Sequence, residues 1–222
     1  MIEERGISKL VVLIDISRGI RLDQRTWAQE PGYPNAYFCS HSNIVGGIER
    51  EGEPASVHED GAELTKKNSI GEVNSTAGSW FYDSFSRRLW IHCSDNAAPS
   101  AHIIISSVWA RFANWPYVFD DKFYLPLLEE NSIGQIDFST GFYNEGGTRQ
   151  AFGNIGLINA DGFFNYEFPN YIWHARQLVG RVGKYGDNEE NFLVFMNQWT
   201  GDIEWSDEIV SLRVEDLRRA VI

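Results

Sequence analysis

The chain has 222 residues, a length that predicts one large or two small folded units with enough buried surface to need no disulfide or metal. A formal net charge of −12 argues against a protein that binds nucleic acid mainly through its phosphates, because such binding depends on Lys and Arg. Aromatic residues make up 14% of the chain and long helical periodicity is scarce, which together favour strands and turns.

The N-terminal segment, MIEERGISKLVVLIDI, is acidic where a secretory signal would be basic, and Asp15 interrupts its apolar run. We therefore expect no export signal. No apolar stretch approaches the roughly 20 residues that a membrane-spanning helix needs. Cys39 and Cys93 form no disulfide framework and suit a reducing compartment, and the sequence leaves open whether they pair.

The first half of the chain predicts strands throughout. Lys9 to Ile16 and Asn35 to Ser42 have the composition of strands, and Ile44 to Asn74 is polar and rich in turn formers, which predicts short strands joined by hairpins. From Ser79 onwards, aromatic and β-branched residues predict two or three strands separated by YDSFSRR and by SDNAAPSAH.

A connecting segment is predicted in the middle of the chain. Asn114 to Asn131 contains two prolines and no alternation, so we expect it to join two units. The predicted division is an N-terminal β-domain, residues 1–113, and a C-terminal β-barrel-like domain, residues 114–222. The predicted fold class is mainly β, with sandwich or barrel units and a few short helices.

The second half again predicts strands, with a few special positions. Asn159 to Gly162 has the chemistry of a tight turn, with Gly162 at positive φ. Asn170 to Gly186 could begin as a helix and continue as a strand. The segment NFLVFMNQWTGDIEW predicts a strand pair or one long bent strand, with a bulge or kink at Gly201.

The closing segment predicts a hairpin. Alternation puts Ile203 and Trp205 on one face and Asp202 and Glu204 on the other. After the turn at SDE, the next strand directs its branched aliphatic residues inward, namely Val210, Leu212 and Val214. Asp216 is predicted to cap a short helical turn that contains Leu217. The residues predicted to form the core or an assembly surface are Trp80, Trp90, Ile104, Leu157, Val179, Ile203, Trp205, Leu212 and Leu217.

Three groups of side chains could carry chemistry. Cys39, His41, His92 and Cys93 are the ligand types of a zinc site, but His92 and Cys93 are strand neighbours that point to opposite faces, so we expect no metal there. Asp202 and Glu204 approach the carboxylate spacing of glycoside hydrolases, yet such residues normally line a solvated strand face.

The third group consists of tryptophans that could form a sugar-binding platform, namely Trp80, Trp90 and Trp109. Because these residues alternate with Ile and Val, they more plausibly fill a core or an interface between subunits. We therefore expect no catalytic residue and no cofactor.

Four segments of the chain resemble tail and baseplate proteins of tailed bacteriophages. They are GSWFYDSFSRRLWIHCSDNAAPSAHIIIS, GNIGLINADGFFN, IWHARQLVGRVG and FMNQWTGDIEWSDEIVSLRVEDLRRAV. The resemblance extends from Leu64 to Ile222. The layout of this region is similar to the tube-like β-barrel domains of tail hub and distal tail proteins. It implies a structural virion component, made in the host cytoplasm, that joins the tail tube to fibres or a spike at the tail tip.

The same resemblance implies several partners. They are copies of the chain in a ring of three-fold or six-fold symmetry, other baseplate proteins, and DNA that passes an acidic lumen without specific binding. The alternative is a carbohydrate-binding or glycoside-hydrolysing β-protein that contacts a host receptor.

Overall fold

A computed structural model describes residues 10–41, 44–45, 48–49, 52–129, 137–139, 149–151, 153–159 and 162–215. The fold is mainly β, as predicted. The strands are β1 (Leu10–Arg21), β2 (Ala28–Gln29), β3 (Tyr37–Ser40), β4 (Ile44–Val45), β5 (Ile48–Glu49), β6 (Ser56–Glu59), β7 (Ala62–Glu63), β8 (Thr65–Lys66), β9 (Ser79–Asp83), β10 (Arg88–His92), β11 (Ile104–Ala113), β12 (Tyr117–Phe119), β13 (Lys122–Tyr124), β14 (Asp137–Ser139), β15 (Arg149–Ala151), β16 (Asn154–Ile158), β17 (Gln177–Lys184), β18 (Leu193–Trp205) and β19 (Ile209–Glu215). The helices are α1 (Ile70–Ser75) and α2 (Phe163–Asn170), with 3-10 turns at Pro99–Ala101 and Glu189–Asn191.

The chain divides into two compact units. Unit 1 contains Met1–Ser17 and Ala110–Ile222, and unit 2 contains Arg18–Trp109. This division differs from the predicted boundary after residue 113, because β1 pairs antiparallel with β17 and so belongs to the same sheet as the C-terminal strands. The chain leaves unit 1 within β1 and returns within β11.

The segment predicted to connect the units lies in unit 1 as far as Glu129, and it contains a two-stranded hairpin instead of a linker. In this hairpin, β12 and β13 are joined by Asp120 and Asp121, which have φ angles of 51° and 54°. Positive φ at both central residues is the geometry of the tightest hairpin turns, and Asp tolerates it better than most residues.

Unit 1 is built on a sheet in which β16, β19, β18, β17 and β1 are neighbours in that order, with antiparallel pairing between them. The register of β18 on β19 shifts between Thr200 and Ile203, which confirms the predicted irregularity at Gly201. The segment NFLVFMNQWTGDIEW is therefore one long bent strand from Leu193 onwards.

Helix α2 was not predicted, and it lies upstream of the predicted helical start at Asn170. Gly162 precedes it with φ 70°, the left-handed conformation predicted for this turn. Asn159 stabilises the start of the helix, because its Oδ1 accepts the backbone N–H of Phe164 at 2.9 Å. The other two residues of the predicted turn, Ala160 and Asp161, lie outside the described residues.

Two clusters form the interior of unit 1. One surrounds Phe164 of α2, whose ring lies 5.6 Å from Phe112 and 6.1 Å from Trp173 between centroids. The other contains Val11, Leu13, Ala113, Tyr124 and Phe192. Since Val11 and Leu13 come from β1, the first strand supplies part of the core of the C-terminal sheet.

Unit 2 combines two sets of strands. In one, β11, β6 and β7 are antiparallel neighbours, and in the other the order is β2, β3, β10, β9 and β8. Between β8 and β9 lies α1, which the sequence did not predict. Ser69 caps α1 by accepting the Glu72 backbone N–H at 3.3 Å, and Val73 packs against Trp90 and Ala36.

Five of the residues predicted for the core are buried: Trp80, Trp90, Ile104, Leu157 and Leu212. Val179 and Ile203 are half-buried. The prediction for Val179 has the wrong strand face, because Leu178 is the buried residue at this point of β17. Leu217 and the predicted cap at Asp216 lie outside the described residues.

Trp205 is 61% exposed, so of its two predicted positions, core or assembly surface, it does not have the first. The predicted register of the hairpin is nevertheless correct, because Trp205 pairs with Val210 and Ile203 pairs with Leu212. Directly paired residues share a face, so Trp205 lies on the face of the buried Val210. It is the last residue of β18, and among the described residues Phe168 stacks on one side of its ring.

Candidate functional site

The carboxylates considered for sugar cleavage are exposed on a strand. Asp202 and Glu204 lie on β18, and the side chain of Asp202 is 78% exposed, with its Oδ1 3.8 Å from Nδ1 of His174. Glu204 is likewise exposed. The pair therefore has the solvated role that the alternation predicts.

The histidines of the considered zinc set have other partners. Nε2 of His41 is hydrogen-bonded to Oγ of Ser106 at 2.8 Å. Burial, and after it the charge of Arg25, lowers the pKa of His41 from 6.5 to about 3. The ring of His92 lies between the backbone oxygen of Val73 and Oδ1 of Asn96, at 2.9 and 2.8 Å.

The cysteines of that set, Cys39 and Cys93, are both buried, and neither forms a disulfide. Their pairing, which the sequence left open, does not occur in this structure.

Two of the three tryptophans considered as sugar platforms are buried. Trp80 and Trp90 are 2% and 3% exposed, and their indole N–H groups donate to the Leu64 backbone oxygen and to Glu30. Trp109 is half-buried on β11. These residues hold unit 2 together.

Trp205 and Phe168 form an aromatic pair at the surface of unit 1, which we call the Trp205 ledge. Their rings are stacked, with centroids 4.8 Å apart and an angle of 14° between the planes. Phe168 in turn stacks on the fully buried Phe164, at 5.5 Å and 22°. The exposed indole is thus held in position by the aromatic core, and exposed acids follow it in the turn at Asp207 and Glu208.

A second exposed aromatic side chain lies on the hairpin that joins β9 to β10 in unit 2. Phe85 is 97% exposed, and the exposed Arg87 and Arg88 follow it. The turn is held by Asp83, whose carboxylate accepts the backbone N–H groups of Phe85 and Ser86 at 3.0 and 3.3 Å. We call this surface the Phe85 tip.

The β12–β13 hairpin has one buried and one exposed face. Tyr117, Phe119 and Tyr124 pack inward with the cluster around Phe192, whereas Val118 and Phe123 are opposed on the outer face and are 61% and 55% exposed. The sequence prediction missed this hairpin because a two-residue turn made of Asp-Asp lacks the Gly that usually marks it.

Beneath this hairpin lies a buried charge cluster centred on Asp15. Its carboxylate accepts the Tyr124 hydroxyl at 2.9 Å, lies 3.5 Å from Nε of Arg111 and pairs with Arg181. Burial and the negative charge of Asp15 raise the pKa of Tyr124. The signal in the sequence was the acid itself, a single carboxylate within an apolar strand, which requires a partner.

An exposed aromatic group held in a fixed position is suited to binding. Aromatic side chains bury about 150–250 Å² each and are common anchors of protein interfaces. Burial of apolar surface stabilises a complex by roughly 25 cal/mol per Å². The Trp205 ledge is flanked by acids and the Phe85 tip by bases, so the two surfaces are complementary in charge.

In the described part of the chain, none of the helices has the length and apolar character required to cross a membrane. Comparison with protein-family models gives no match, and comparisons with curated proteins and with solved structures give none either.

Proposed function

We propose that this protein is a structural component of a bacteriophage tail tip or baseplate, of the hub or distal tail type, which joins the tail tube to fibres or a spike. The observation that carries the proposal is Trp205, an exposed indole stacked on the aromatic core at the end of the hairpin within the phage-like C-terminal pattern. Such a residue serves to bind another protein surface.

The proposed partner of the Trp205 ledge is the Phe85 tip of the next copy of the chain. Phe85 supplies an exposed ring that can stack on Trp205, and Arg87 supplies a positive charge opposite Glu208. The contact joins two different surfaces, so its repetition generates a ring when the rotation closes. The net charge of −12 supports a lumen that repels DNA phosphates.

Sedimentation velocity of the purified chain over a concentration series tests this contact. We expect the wild-type chain to associate, and Phe85→Ser and Trp205→Ser each to shift it to monomers. Leu193→Ser is the matched control, because Leu193 lies on the same strand as Trp205 and is 69% exposed, yet lies outside both surfaces. Its association should equal that of the wild type.

Charge reversal tests the pairing of the two surfaces. Arg87→Glu and Glu208→Lys should each weaken association, and the double variant should restore it, because the ion pair is rebuilt with opposite polarity. A chain that remains monomeric at every concentration, or a Trp205→Ser variant that associates like the wild type, would refute the contact.

The tail role itself has a separate test. Co-expression with the gene products encoded beside it, followed by electron microscopy of the purified particles, should show the chain at the tail tip in a fixed stoichiometry. Particles that form completely without the chain would contradict the tail-tip proposal.

A carbohydrate-binding function remains the second candidate, and the exposed ring of Trp205 next to Glu204 favours it. A monomeric chain that binds immobilised glycans, and loses binding in Trp205→Ser, would replace the assembly proposal with this one.

A further inference from the structure

Three side chains of metal-ligand type meet in unit 2, away from the surfaces described above. Glu59 ends β6, Cys93 follows β10, and His102 precedes β11. One ligand atom from each lies within 4.8 Å of the other two. Because the three residues come from separate segments, a cation bound between them would join three parts of unit 2.

The carboxylate of Glu59 is the strongest indication of a ligand. Its residue is only 3% exposed, and its Oε2 accepts the backbone N–H of Ser94 at 2.9 Å. Its Oε1 is buried without a hydrogen-bond partner among the described residues, and it faces Nδ1 of His102 at 3.4 Å. A buried carboxylate oxygen in this state is stabilised by a positive charge at close range.

The imidazole of His102 is oriented as a ligand. Its Nδ1 lies 2.8 Å from Oδ2 of Asp60 and faces Glu59, while its Nε2 lies 3.2 Å from Oδ1 of Asp95. In the metal-free chain Nδ1–H donates to Asp60 and Nε2–H donates to Asp95. A cation that replaces the Nδ1 proton would take that nitrogen as a ligand and leave the Nε2–H bond to Asp95 in place. Metal-binding histidines commonly donate their second N–H to a carboxylate in this way.

The acids around His102 are themselves held by the backbone. Oδ1 of Asp60 accepts the N–H of Ile103 at 2.9 Å, and Oδ1 of Asp95 accepts the N–H of Ala97 at 2.8 Å. The turn that carries Asp60 is fixed in the left-handed conformation, with φ 49°. These contacts fix the carboxylates of Asp60 and Asp95 before any cation arrives, which lowers the cost of binding.

We propose that Glu59, Cys93 and His102, with Asp60 as the fourth ligand, bind one Zn²⁺ ion. A thiolate, an imidazole and carboxylates are the ligands that zinc takes in proteins, and four of them complete a tetrahedral site. Metal–ligand distances of about 2.0–2.3 Å place ligand atoms about 3.5 Å apart. The ligand atoms of Glu59, Cys93 and His102 lie within 4.8 Å of one another, and Oδ2 of Asp60 lies 2.8 Å from Nδ1 of His102. As the ion binds, the Cys93 thiol and Nδ1 of His102 each release a proton to solvent.

The bound ion has a structural role, because four protein ligands leave no position for substrate. It ties the ends of β6 and β10 to the start of β11 in unit 2. The proposal is independent of the tail-tip assignment.

Metal titration of the full-length chain, stripped with a chelator under reducing conditions, tests the site. Isothermal calorimetry should show one Zn²⁺ per chain, and Co²⁺ should give a thiolate-to-cobalt charge-transfer band in the near ultraviolet. Cys93→Ser should abolish that band, and Asp95→Asn should weaken Zn²⁺ binding by about 10–100-fold, because Asp95 orients the His102 ring.

Cys39→Ser is the matched control, since Cys39 is the second buried cysteine of unit 2 and lies outside the cluster. It should keep the charge-transfer band and the one-to-one stoichiometry. Circular dichroism verifies that each variant is folded, and the wild-type Co²⁺ spectrum depends on no variant. Absence of binding to the wild type, binding without a thiolate band, or an unchanged band in Cys93→Ser would overturn the zinc site.

Discussion

Asp15 shows at the scale of one residue how a charge is accommodated inside an apolar strand. Ile14 and Ile16 on either side are fully buried, and Asp15 itself is 7% exposed. Its carboxylate is stabilised by the Tyr124 hydroxyl and by Arg181. These partners come from β13 and β17, so one acid fixes the position of β1 within unit 1.

Replacement of Asp15 with Ala should lower the free energy of unfolding by about 3–5 kcal/mol, because Arg181 and the Tyr124 hydroxyl would lose their buried partner. Chemical denaturation monitored by tryptophan fluorescence measures the change. In a double-mutant cycle, Tyr124→Phe should cost less in the Asp15→Ala background than in the wild type. Additive effects would show that the hydroxyl and the carboxylate are not coupled.

His41 makes stability depend on pH. Burial, followed by the charge of Arg25, lowers its pKa from 6.5 to about 3 in the folded state. Between these values the unfolded chain binds a proton that the folded chain does not, so the free energy of unfolding falls as the pH falls below 6.5. Above that pH the imidazole is neutral in both states and has no effect.

We expect His41 to reduce the free energy of unfolding by about 2 kcal/mol between about pH 7.5 and pH 5, at roughly 1.4 kcal/mol per pH unit below 6.5. Other groups also titrate in this range, so the measured quantity is the difference between wild type and His41→Gln. Urea denaturation of both proteins at both pH values measures this difference in the free energy of unfolding. Identical pH dependence in the two proteins would contradict a buried neutral His41.

At the scale of an element, residues on one face of the β18–β19 hairpin differ in how deeply they are buried. Leu212 is fully buried whereas Trp205, on the same face and nearer the turn, is 61% exposed. Alternation assigns a residue to a face, but burial depends on whether another element covers that part of the face. Near the turn the cover is Phe168 of α2, which leaves the far side of the indole in water.

The two positions should therefore differ in their effect on stability. Leu212→Ala should cost about 2–5 kcal/mol, because it leaves a cavity in a closed part of the core. Trp205→Ala should cost only about 0.5–1.5 kcal/mol, chiefly the lost stacking on Phe168. Thermal and denaturant unfolding of both variants measure the difference, and an equal cost would contradict the exposed position of Trp205.

At the scale of the molecule, two units are formed by a chain that crosses between them twice. Unit 2 consists of the single segment Arg18–Trp109, whereas unit 1 needs both ends of the chain. The proposed surfaces follow this division, with the Phe85 tip on unit 2 and the Trp205 ledge on unit 1. Each copy would therefore use one unit to bind the preceding neighbour and the other to bind the following one.

The sequence by itself determined the strand-rich fold, the turn at Gly162, the bend at Gly201 and the register of the C-terminal hairpin. These features depend on local conformational preference and on the two-residue period of a strand, both of which are written in neighbouring residues. Helix α2 was missed because seven of its eight residues are aromatic, Asn or Pro, a composition that also suits a strand and its flanking loop.

Only the tertiary structure decided that β1 belongs with the C-terminal strands, that Asp15 meets Tyr124, and that Glu59, Cys93 and His102 lie together. Such contacts join residues far apart in the chain, and they depend on which strands pair and not on local preference. The exposure of Trp205 was decided in the same way, because coverage of a sheet face is set by the elements that pack on it.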